Sequence, residues 1–258
     1  MRVAQGSIPY IASHKINFVL LGDFYFIKNP IPTKDLFKNI KFIKNIVPNN
    51  LIVLDSSLSL IMNNITLQSY ENNIEAYVDG TVNSVSGDLK KWLDESIKNI
   101  PLNARILELG SGFGRDAFYL QSQGYKVECS DAAKGFVELL IKNGLDTRVL
   151  NILEDDINLK YDLIFANAVL LHFDPEEVKK VLEKILKSLN TAGRFAFTLK
   201  QGEGEQWSND KLRAPRYFCF WNQKNIVSLI ENVGFNKIQI TDNNKTKNST
   251  WLHIIACR

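Results

Sequence analysis

The chain has 258 residues, of which 45% are hydrophobic and 23% charged, with a formal net charge of +3. This length suits one large domain, or one domain with a modest extension, and the composition excludes a disordered or fibrous chain. No run of 18 apolar residues is present and the first residues lack the pattern of a secretory signal peptide, so neither a membrane span nor secretion is expected. The three cysteines are scattered without CxxC spacing, which favours a reducing cytoplasm over a disulfide framework or a zinc site.

The charge is distributed unevenly along the chain. Residues 1–65 hold seven basic and three acidic side chains, whereas the rest holds 24 basic and 25 acidic ones. A nucleic-acid-binding protein would carry its basic excess on the main domain, so this distribution does not favour a nucleic acid as partner. We predict that residues 1–65 are an N-terminal extension of unknown role, with two short strands (Ile16–Leu21 and Ile52–Leu54) around a helix near Lys34–Asn45.

Residues 66–258 form the predicted main domain, in which strands and helices alternate. The predicted strands are Arg105–Leu109, Tyr125–Cys129, Thr147–Ile152, Tyr161–Ala166 and Arg194–Leu199, and the helices are Leu89–Ile97, Ala117–Gln123, Gly135–Asn143 and Pro175–Leu189. Such alternation predicts an α/β fold with a doubly wound, mostly parallel sheet. Two further strands, Lys237–Thr241 and Thr250–Ala256, follow each other without a helix, which predicts an antiparallel C-terminal hairpin strand at the edge of the sheet.

A glycine-rich loop, Gly110-Ser111-Gly112-Phe113-Gly114, follows the first predicted strand and leads into a helix. Glycines at this point let a ligand approach the backbone at a helix N-terminus. The third glycine of a dinucleotide fingerprint is replaced by Arg115, and Glu108 just before the loop would repel a pyrophosphate. A cationic ligand such as S-adenosylmethionine fits better, and Asp131 at the end of the next strand can accept hydrogen bonds from its ribose hydroxyls.

The sequence resembles the class I S-adenosylmethionine-dependent methyltransferases over roughly residues 66–258. The segments that carry this resemblance are ILELGSGFGRD, VECSDAA, YDLIFANAVLLHFDPEEV and SLNTAGRFAFTLKQGEGE. Within the family it is similar to a bacterial group with KxGxGE and RYF segments, here Lys200–Glu205 and Arg216–Phe218. The resemblance implies a seven-stranded Rossmann-like sheet with a reversed last strand, S-adenosylmethionine as cofactor and S-adenosylhomocysteine as product.

The resemblance also implies the residues of the cofactor site. These are Tyr70, Tyr77, Thr81, Glu108, Gly110, Ser111, Gly112, Gly114, Arg115, Asp131, Ala132, Asn151, Ile152 and Asn167. Glu108 and the glycine loop would hold the methionine end, and Asp131 would hold the ribose. Two roles stay open at this stage. Arg115 either pairs with the cofactor carboxylate or forms a surface salt bridge, and Asn151 either contacts the adenine or belongs to a turn.

His172 follows the fourth strand and is the predicted catalytic residue, as a base or as a group that orients the acceptor. A base would give a pH profile with a limb near the usual histidine pKa of about 6.5. The alternative is a structural histidine bonded to backbone at a helix entry. The predicted substrate-binding residues are Lys200, Glu203, Glu205, Arg216 and Tyr217, where two cations and two acids could bind a carboxylate and a cationic group; the alternative is a solvated lid.

The sequence therefore predicts a cytoplasmic S-adenosylmethionine-dependent methyltransferase that acts on a small-molecule acceptor, whose identity and acceptor atom stay open. Two alternatives remain at this point. One is a methyltransferase whose RNA or protein acceptor is recruited by the N-terminal extension. The other is a non-catalytic cofactor-binding or interaction module. The sequence predicts no metal and leaves the oligomeric state open.

Overall fold

A computed structural model describes residues 3–6, 18–21, 24–27, 52–242 and 250–258 of the chain. The chain divides into two compact units, Met1–Ile61 and Met62–Arg258. In the first unit, an antiparallel sheet joins β1 (Val3–Gly6), β2 (Phe18–Leu21) and β3 (Phe24–Ile27) in this order. β2 falls within a predicted strand, whereas the helix predicted near Lys34–Asn45 lies outside the described residues.

The strand predicted at Ile52–Leu54 is wrong, because these residues begin α1 (Ile52–Glu71). A short apolar run does not by itself distinguish a strand from a helix. The 17 residues that follow it in α1 contain neither glycine nor proline, so nothing in the sequence interrupts the helix. The boundary between the two units, after Ile61, lies within this helix.

The second unit alternates helices and strands as predicted. Its helices after α1 are α2 (Ile74–Asp79), α3 (Gly87–Ile97), α4 (Arg115–Ser122), α5 (Lys134–Lys142), α6 (Pro175–Ser188) and α7 (Gln223–Val233). Its strands are β4 (Ile106–Leu109), β5 (Val127–Asp131), β6 (Thr147–Val149), β7 (Tyr161–Ala166), β8 (Leu189–Lys200), β9 (Glu205–Ser208), β10 (Arg216–Cys219), β11 (Asn236–Asp242) and β12 (Trp251–Cys257). None of the described helices is long and apolar enough to cross a membrane.

Seven of these strands form one sheet in the order β11-β12-β8-β7-β4-β5-β6. Five neighbouring strands, β8 to β6 in this order, are parallel, and β12 runs antiparallel to both of its neighbours. The predicted fold class is thereby confirmed. The reversed strand β12 lies inside the sheet and β11 forms the edge. The helix α7 and the two-stranded sheet of β9 and β10 were not predicted.

Helices cover both faces of the sheet, and this explains the nearly continuous apolar sequence of its central strands. Along β7, Ile164 and Ala166 contribute to one hydrophobic cluster, whereas Leu163 and Phe165 contribute to the cluster on the opposite face. Successive side chains of a strand point to opposite faces, so a strand between two layers of helices needs apolar residues at every position.

Helix α6 begins with a hydrogen-bonded cap, and the loop that carries His172 ends at this cap. Asp174 accepts a hydrogen bond from the Glu177 N–H at 2.8 Å, and the Glu177 carboxylate accepts one from the Asp174 N–H, with Pro175 at the first helical position. An Asp followed by a Pro and, three positions after the Asp, by a Glu is a sequence pattern typical of such a reciprocal cap. It fixes where the chain enters α6, immediately after the short 3-10 turn Leu170–His172.

Candidate active site

The second unit has a cavity of about 600 Å³ at the carboxyl ends of β4, β7 and β8. In open α/β sheets this edge is where ligands bind. The predicted site residues that line it are Tyr70, Tyr77, Thr81, Glu108, Gly110, Ser111, Gly112, Arg115, Asn167, His172, Lys200 and Arg216. These residues are spread over 147 positions of the chain, and the fold brings them to one cavity.

The glycine loop between β4 and α4 presents its backbone to this cavity. Gly110 and Gly112 have φ angles of 66° and 55°, in the region that favours glycine. At Gly110 a Cβ would also collide with Val169 Cγ2, because the loop after β7 packs directly against the glycine loop. The Ser111 N–H donates to the Ser130 carbonyl at 2.9 Å, so the loop is also tied to β5.

Glu108 places a buried carboxyl group at the cavity wall. Its side chain is 2% exposed, and no described basic residue makes an ion pair with it. Burial, followed by the nearby charge of Asp116, raises the pKa of Glu108 well above its usual range. A buried carboxylate is stabilised when a cation approaches it. The wall at Glu108 is therefore suited to a positively charged ligand.

Asp131 ends β5 and holds the glycine loop from the side. Its two carboxylate oxygens accept hydrogen bonds from the Gly112 N–H and the Ala133 N–H, each at 2.9 Å. Burial raises the pKa of Asp131 to about 6, although these backbone donors act in the opposite direction. Each oxygen can accept a further hydrogen bond, so this bracing role is compatible with the predicted contact to a ribose.

Arg115 and Asn167 meet at the buried carboxylate of Asp116. Arg115 makes two contacts with Asp116, at 2.7 and 3.2 Å, and Asn167 donates to the same carboxylate at 2.7 Å. The Asn167 side-chain oxygen accepts from the Thr198 hydroxyl at 2.9 Å. This network links α4 with the ends of β7 and β8. Of the two alternatives for Arg115, an ion pair with Asp116 is present, although the residue also lines the cavity.

His172 lies in the cavity wall with both ring nitrogens engaged. Nδ1 is 2.6 Å from the carbonyl oxygen of Tyr217, which can only accept, so Nδ1 carries the proton. Nε2 is 2.9 Å from the Tyr70 hydroxyl and accepts from it. Burial, followed by the charges of Arg216 and Lys200 against the opposing effect of the Tyr217 carbonyl, lowers the pKa of His172 to about 3. A pH limb near 6.5 is therefore not expected from this residue.

The position of Tyr70 depends on contacts between α1 and β10. The Thr66 hydroxyl oxygen accepts from the Tyr217 N–H at 3.1 Å, and the Ser69 hydroxyl donates to the Pro215 carbonyl at 2.7 Å. Arg216 Nη1 then donates to the Tyr70 hydroxyl at 3.3 Å. The hydroxyl therefore accepts from a guanidinium and donates to a neutral imidazole.

Eight predicted site residues do not line the cavity: Gly114, Asp131, Ala132, Asn151, Ile152, Glu203, Glu205 and Tyr217. Asp131 still acts on the glycine loop, as described above. A Cβ at Gly114 would face Leu145 and Leu140, on the side of α5. Ile152 belongs to the hydrophobic core. The Asn151 side-chain oxygen accepts from the Leu153 N–H at 3.2 Å, which is the turn geometry left open as its alternative.

The two predicted acids of the substrate side lie elsewhere. Glu203 and Glu205 line a separate cavity of about 360 Å³ together with Trp221 and Asn222. Tyr217 is 2% exposed and contacts the main cavity only indirectly, through its carbonyl bond to His172. The sequence placed these residues by their order in the chain, whereas the turn at Gly202–Gly204 directs them away from Lys200.

Twelve of the residues that line the cavity were not predicted as site residues, among them Asp116, Phe218 and Lys211. Asp116 and Phe218 each adjoin a predicted residue, so the motifs that identified Arg115 and Arg216 also contained the signal for them. Lys211 lies in the irregular segment between β9 and β10, and no pattern in its surroundings indicates a site.

Solved structures with the same arrangement of elements include an S-adenosylmethionine-dependent methyltransferase from Methanosarcina mazei. It is 16% identical, with a TM-score of 0.54, and the match covers 62% of this chain and 95% of that one. The 1,6-didemethyltoxoflavin-N1-methyltransferase of Burkholderia thailandensis is 18% identical, with a TM-score of 0.58 and coverage of 96% and 97%. The chain has the class I S-adenosylmethionine-dependent methyltransferase fold.

A third methyltransferase structure, phosphoethanolamine N-methyltransferase 2 of Haemonchus contortus, is 15% identical with a TM-score of 0.57, and the match covers 73% of this chain and 57% of that one. The family model of the tellurite resistance protein TehB matches residues 93–200, from α3 to the end of β8. No curated protein sequence matches the chain significantly. The family match covers 108 of the 258 residues, and these three solved structures, each less than 25% identical, show the fold of the chain. The narrower resemblance to the bacterial group with KxGxGE and RYF segments stays a prediction.

Proposed function

We propose that this protein transfers the methyl group of S-adenosylmethionine to a small-molecule acceptor bound in the cavity at the carboxyl ends of β4, β7 and β8. The observation that carries the proposal is the buried carboxyl of Glu108 beside the exposed backbone of the glycine loop. A buried acid with no described basic partner, next to glycines that leave room for a ligand, suits a molecule with a positive charge. S-adenosylmethionine carries an ammonium and a sulfonium group.

The size of the cavity supports a small acceptor. Its volume of about 600 Å³ falls within the usual range of small-molecule sites, roughly 300–1,000 Å³. The names of two of the similar structures describe N-methylation of small molecules, a toxoflavin precursor and phosphoethanolamine. Both observations favour a small acceptor over RNA or protein.

When bound, S-adenosylmethionine supplies a methyl group on positively charged sulfur. The protein then has to hold cofactor and acceptor in line and keep water out. Glu108, Asp131 and the glycine loop would bind the cofactor. His172 would act by position, because its low pKa makes it a weak base and its Nε2 is occupied by the Tyr70 hydroxyl. Arg216, the Tyr70 hydroxyl and His172 would form one rigid wall behind the acceptor.

The test of cofactor binding is calorimetry with S-adenosylmethionine, S-adenosylhomocysteine and NAD. We expect the first two to bind and NAD not to bind. Glu108→Gln should weaken both by about tenfold to hundredfold, the range for losing a charged hydrogen-bond partner. The control is Glu138→Gln, at an exposed acid of α5. Comparable binding of NAD, or full affinity in Glu108→Gln, would contradict the proposal.

Catalysis is tested by incubating the protein with methyl-labelled cofactor and fractions of a metabolite extract. We expect label in a small molecule and stoichiometric S-adenosylhomocysteine. Label that appears only in RNA or protein would indicate a macromolecular acceptor. Cofactor binding without any transfer would favour the non-catalytic module.

A further inference from the structure

Three cations line the cavity: Lys200 at the end of β8, Lys211 between β9 and β10, and Arg216 at the start of β10. No described carboxylate lies within ion-pair distance of any of them. Arg216 is 6% exposed, and its Nε has no hydrogen-bond partner within the described chain. A buried guanidinium without an anion is costly, so an acceptor oxygen from a ligand would stabilise this wall.

Each of the three cations lies against an aromatic ring and not against an acidic side chain. Lys200 Nζ lies 4.0 Å from the centre of the Phe218 ring, and the Arg216 guanidinium lies 5.1 Å from the same ring. Lys211 Nζ lies 4.0 Å from the Tyr77 ring. Cation–π contacts stabilise a positive charge without neutralising it. The surface therefore holds its cations in place and keeps their charge available.

The electrostatics of these groups show that the charge is not compensated. Burial, followed by the charge of Arg216, lowers the pKa of Lys200, with Asp210 acting in the opposite direction. Burial, then Arg216 and Arg115, lowers the pKa of Lys211 to about 8. Mutual repulsion of this kind is relieved when an anion binds between the cations.

The acidic groups around the same cavity have other surroundings. Asp116 pairs with Arg115, and Asp88 pairs with Lys91 at 3.3 Å. Glu108 is buried behind the glycine loop, on the proposed cofactor side. Asp210 is exposed to solvent and makes no ion pair with a described residue. Asp210 therefore acts on Lys200 without forming an ion pair, and no described acid is paired with any of the three cations.

We propose that Lys200, Lys211 and Arg216 bind a negatively charged oxygen group of the methyl acceptor, a carboxylate or a phosphate-type group. This inference rests on the proposed methyl transfer and specifies its substrate class. It also revises the sequence-based expectation of an acceptor with both charges, because Glu203 and Glu205 line a different cavity. The main cavity contains neither of these acids and contains instead a further cation, Lys211, which the sequence did not indicate.

The experiment measures binding to protein saturated with S-adenosylhomocysteine, so that the cofactor's own carboxylate is already satisfied. The probes are inorganic phosphate and the matched pair benzoate and benzamide, which differ in charge but hardly in shape. We expect phosphate and benzoate to bind, and benzamide to bind at least about tenfold more weakly than benzoate. Equal affinity for benzoate and benzamide, or no binding of either anion, would overturn the proposal.

Substitutions then locate the anion. Arg216→Gln and Lys200→Met should each weaken benzoate binding by about tenfold to hundredfold. The control Lys224→Met, at an exposed lysine of α7, should change nothing. If Arg216→Gln fails to fold, Lys211→Met replaces it, because methionine removes the positive charge and keeps an unbranched side chain. Unchanged benzoate binding in the folded variants would refute the assignment.

The same variants separate this inference from the proposed function. S-adenosylhomocysteine should bind to them within about threefold of its original affinity. A collapse of that affinity would mean that the cations hold the cofactor carboxylate, and the inference would be wrong while the methyl transfer remained. Anion binding by a protein that binds no S-adenosylmethionine at all would instead refute the proposed function and leave the anion site standing.

Discussion

His172→Gln tests whether the histidine is a buried neutral ring that positions Tyr70. Glutamine cannot titrate, yet its amide can donate to the Tyr217 carbonyl and accept from the Tyr70 hydroxyl, the two contacts that His172 makes. The substitution therefore removes the ionisation of the residue and retains most of its hydrogen bonding. Any change in pH dependence can then be assigned to the proton on the imidazole.

The expected magnitude follows from the two pKa values of the residue. In the folded protein the pKa of His172 is lowered to about 3, whereas a histidine in an unfolded chain titrates near 6.5. The unfolded state therefore takes up the proton first as the pH falls. The stability that depends on the neutral ring is complete above about pH 6.5 and is lost progressively toward about pH 3. Acidification from about pH 7.5 to about pH 5 should cost about 2 kcal/mol through this residue alone.

The assay is urea unfolding at both pH values, followed by circular dichroism. We expect the free energy of unfolding of His172→Gln to fall by about 2 kcal/mol less than that of the original protein over this interval. The control Lys224→Met should match the original protein. Equal pH dependence in the original protein and His172→Gln would refute the argument, because it would show that the imidazole takes up its proton in the folded state without penalty.

Four further predictions follow from the site. Asp131→Ala should weaken S-adenosylhomocysteine binding in calorimetry by roughly 1–3 kcal/mol, and unchanged affinity would exclude this residue from the site. Gly110→Ala should lower the free energy of unfolding in urea by roughly 2–4 kcal/mol, because the φ of 66° disfavours a side chain and the new Cβ would collide with Val169. Adding Val169→Ala should restore part of the lost stability, and no restoration would contradict the packing argument. Benzoate affinity should fall as the pH rises through about 8, because Lys211, near Arg115 and Arg216, loses its proton there. The same fall in Lys211→Met would assign the pH dependence to another group. Deleting residues 1–61 should leave a folded unit that binds S-adenosylhomocysteine, and an insoluble product would show that the first unit is needed for folding.

The sequence was sufficient for most elements of the second unit because its signals are local. The apolar run Tyr161–Ala166 is the strand that the structure shows, and the predicted helix from Pro175 begins with a cap formed by Asp174 and Glu177. Such features depend on residues that are neighbours in the sequence and on whether a whole element is buried. Hydrophobic periodicity and helix-capping residues report both directly. Where the local signal was ambiguous, as at Ile52–Leu54, the prediction failed.

The sequence alone also brought together part of the proposed cofactor side, although Gly114, Ala132, Asn151 and Ile152, which it also predicted, do not line the cavity. The glycine loop, Glu108 and Asp131 lie close together in a single strand–loop–helix–strand unit, so their order along the chain already places them at one edge of the sheet. The substrate side was decided only by the tertiary structure. Arg216 begins one strand of a two-stranded sheet that no sequence pattern predicted, and Lys211 lies in the segment between its two strands. Tyr70 comes from a helix more than a hundred residues before His172.

The physical reason is that these contacts depend on distances between elements remote in sequence. Lys200, Glu203 and Glu205 follow one another, yet the turn between β8 and β9 sends the lysine to one cavity and the acids to another. Burial then decides the chemistry, because it lowers the pKa of His172 and encloses the Arg216 guanidinium, which has no ion-pair partner among the described residues. The sequence specified the glycine loop and the acids beside it, and the packing of the second unit decided which side chains line the cavity and in which state of charge.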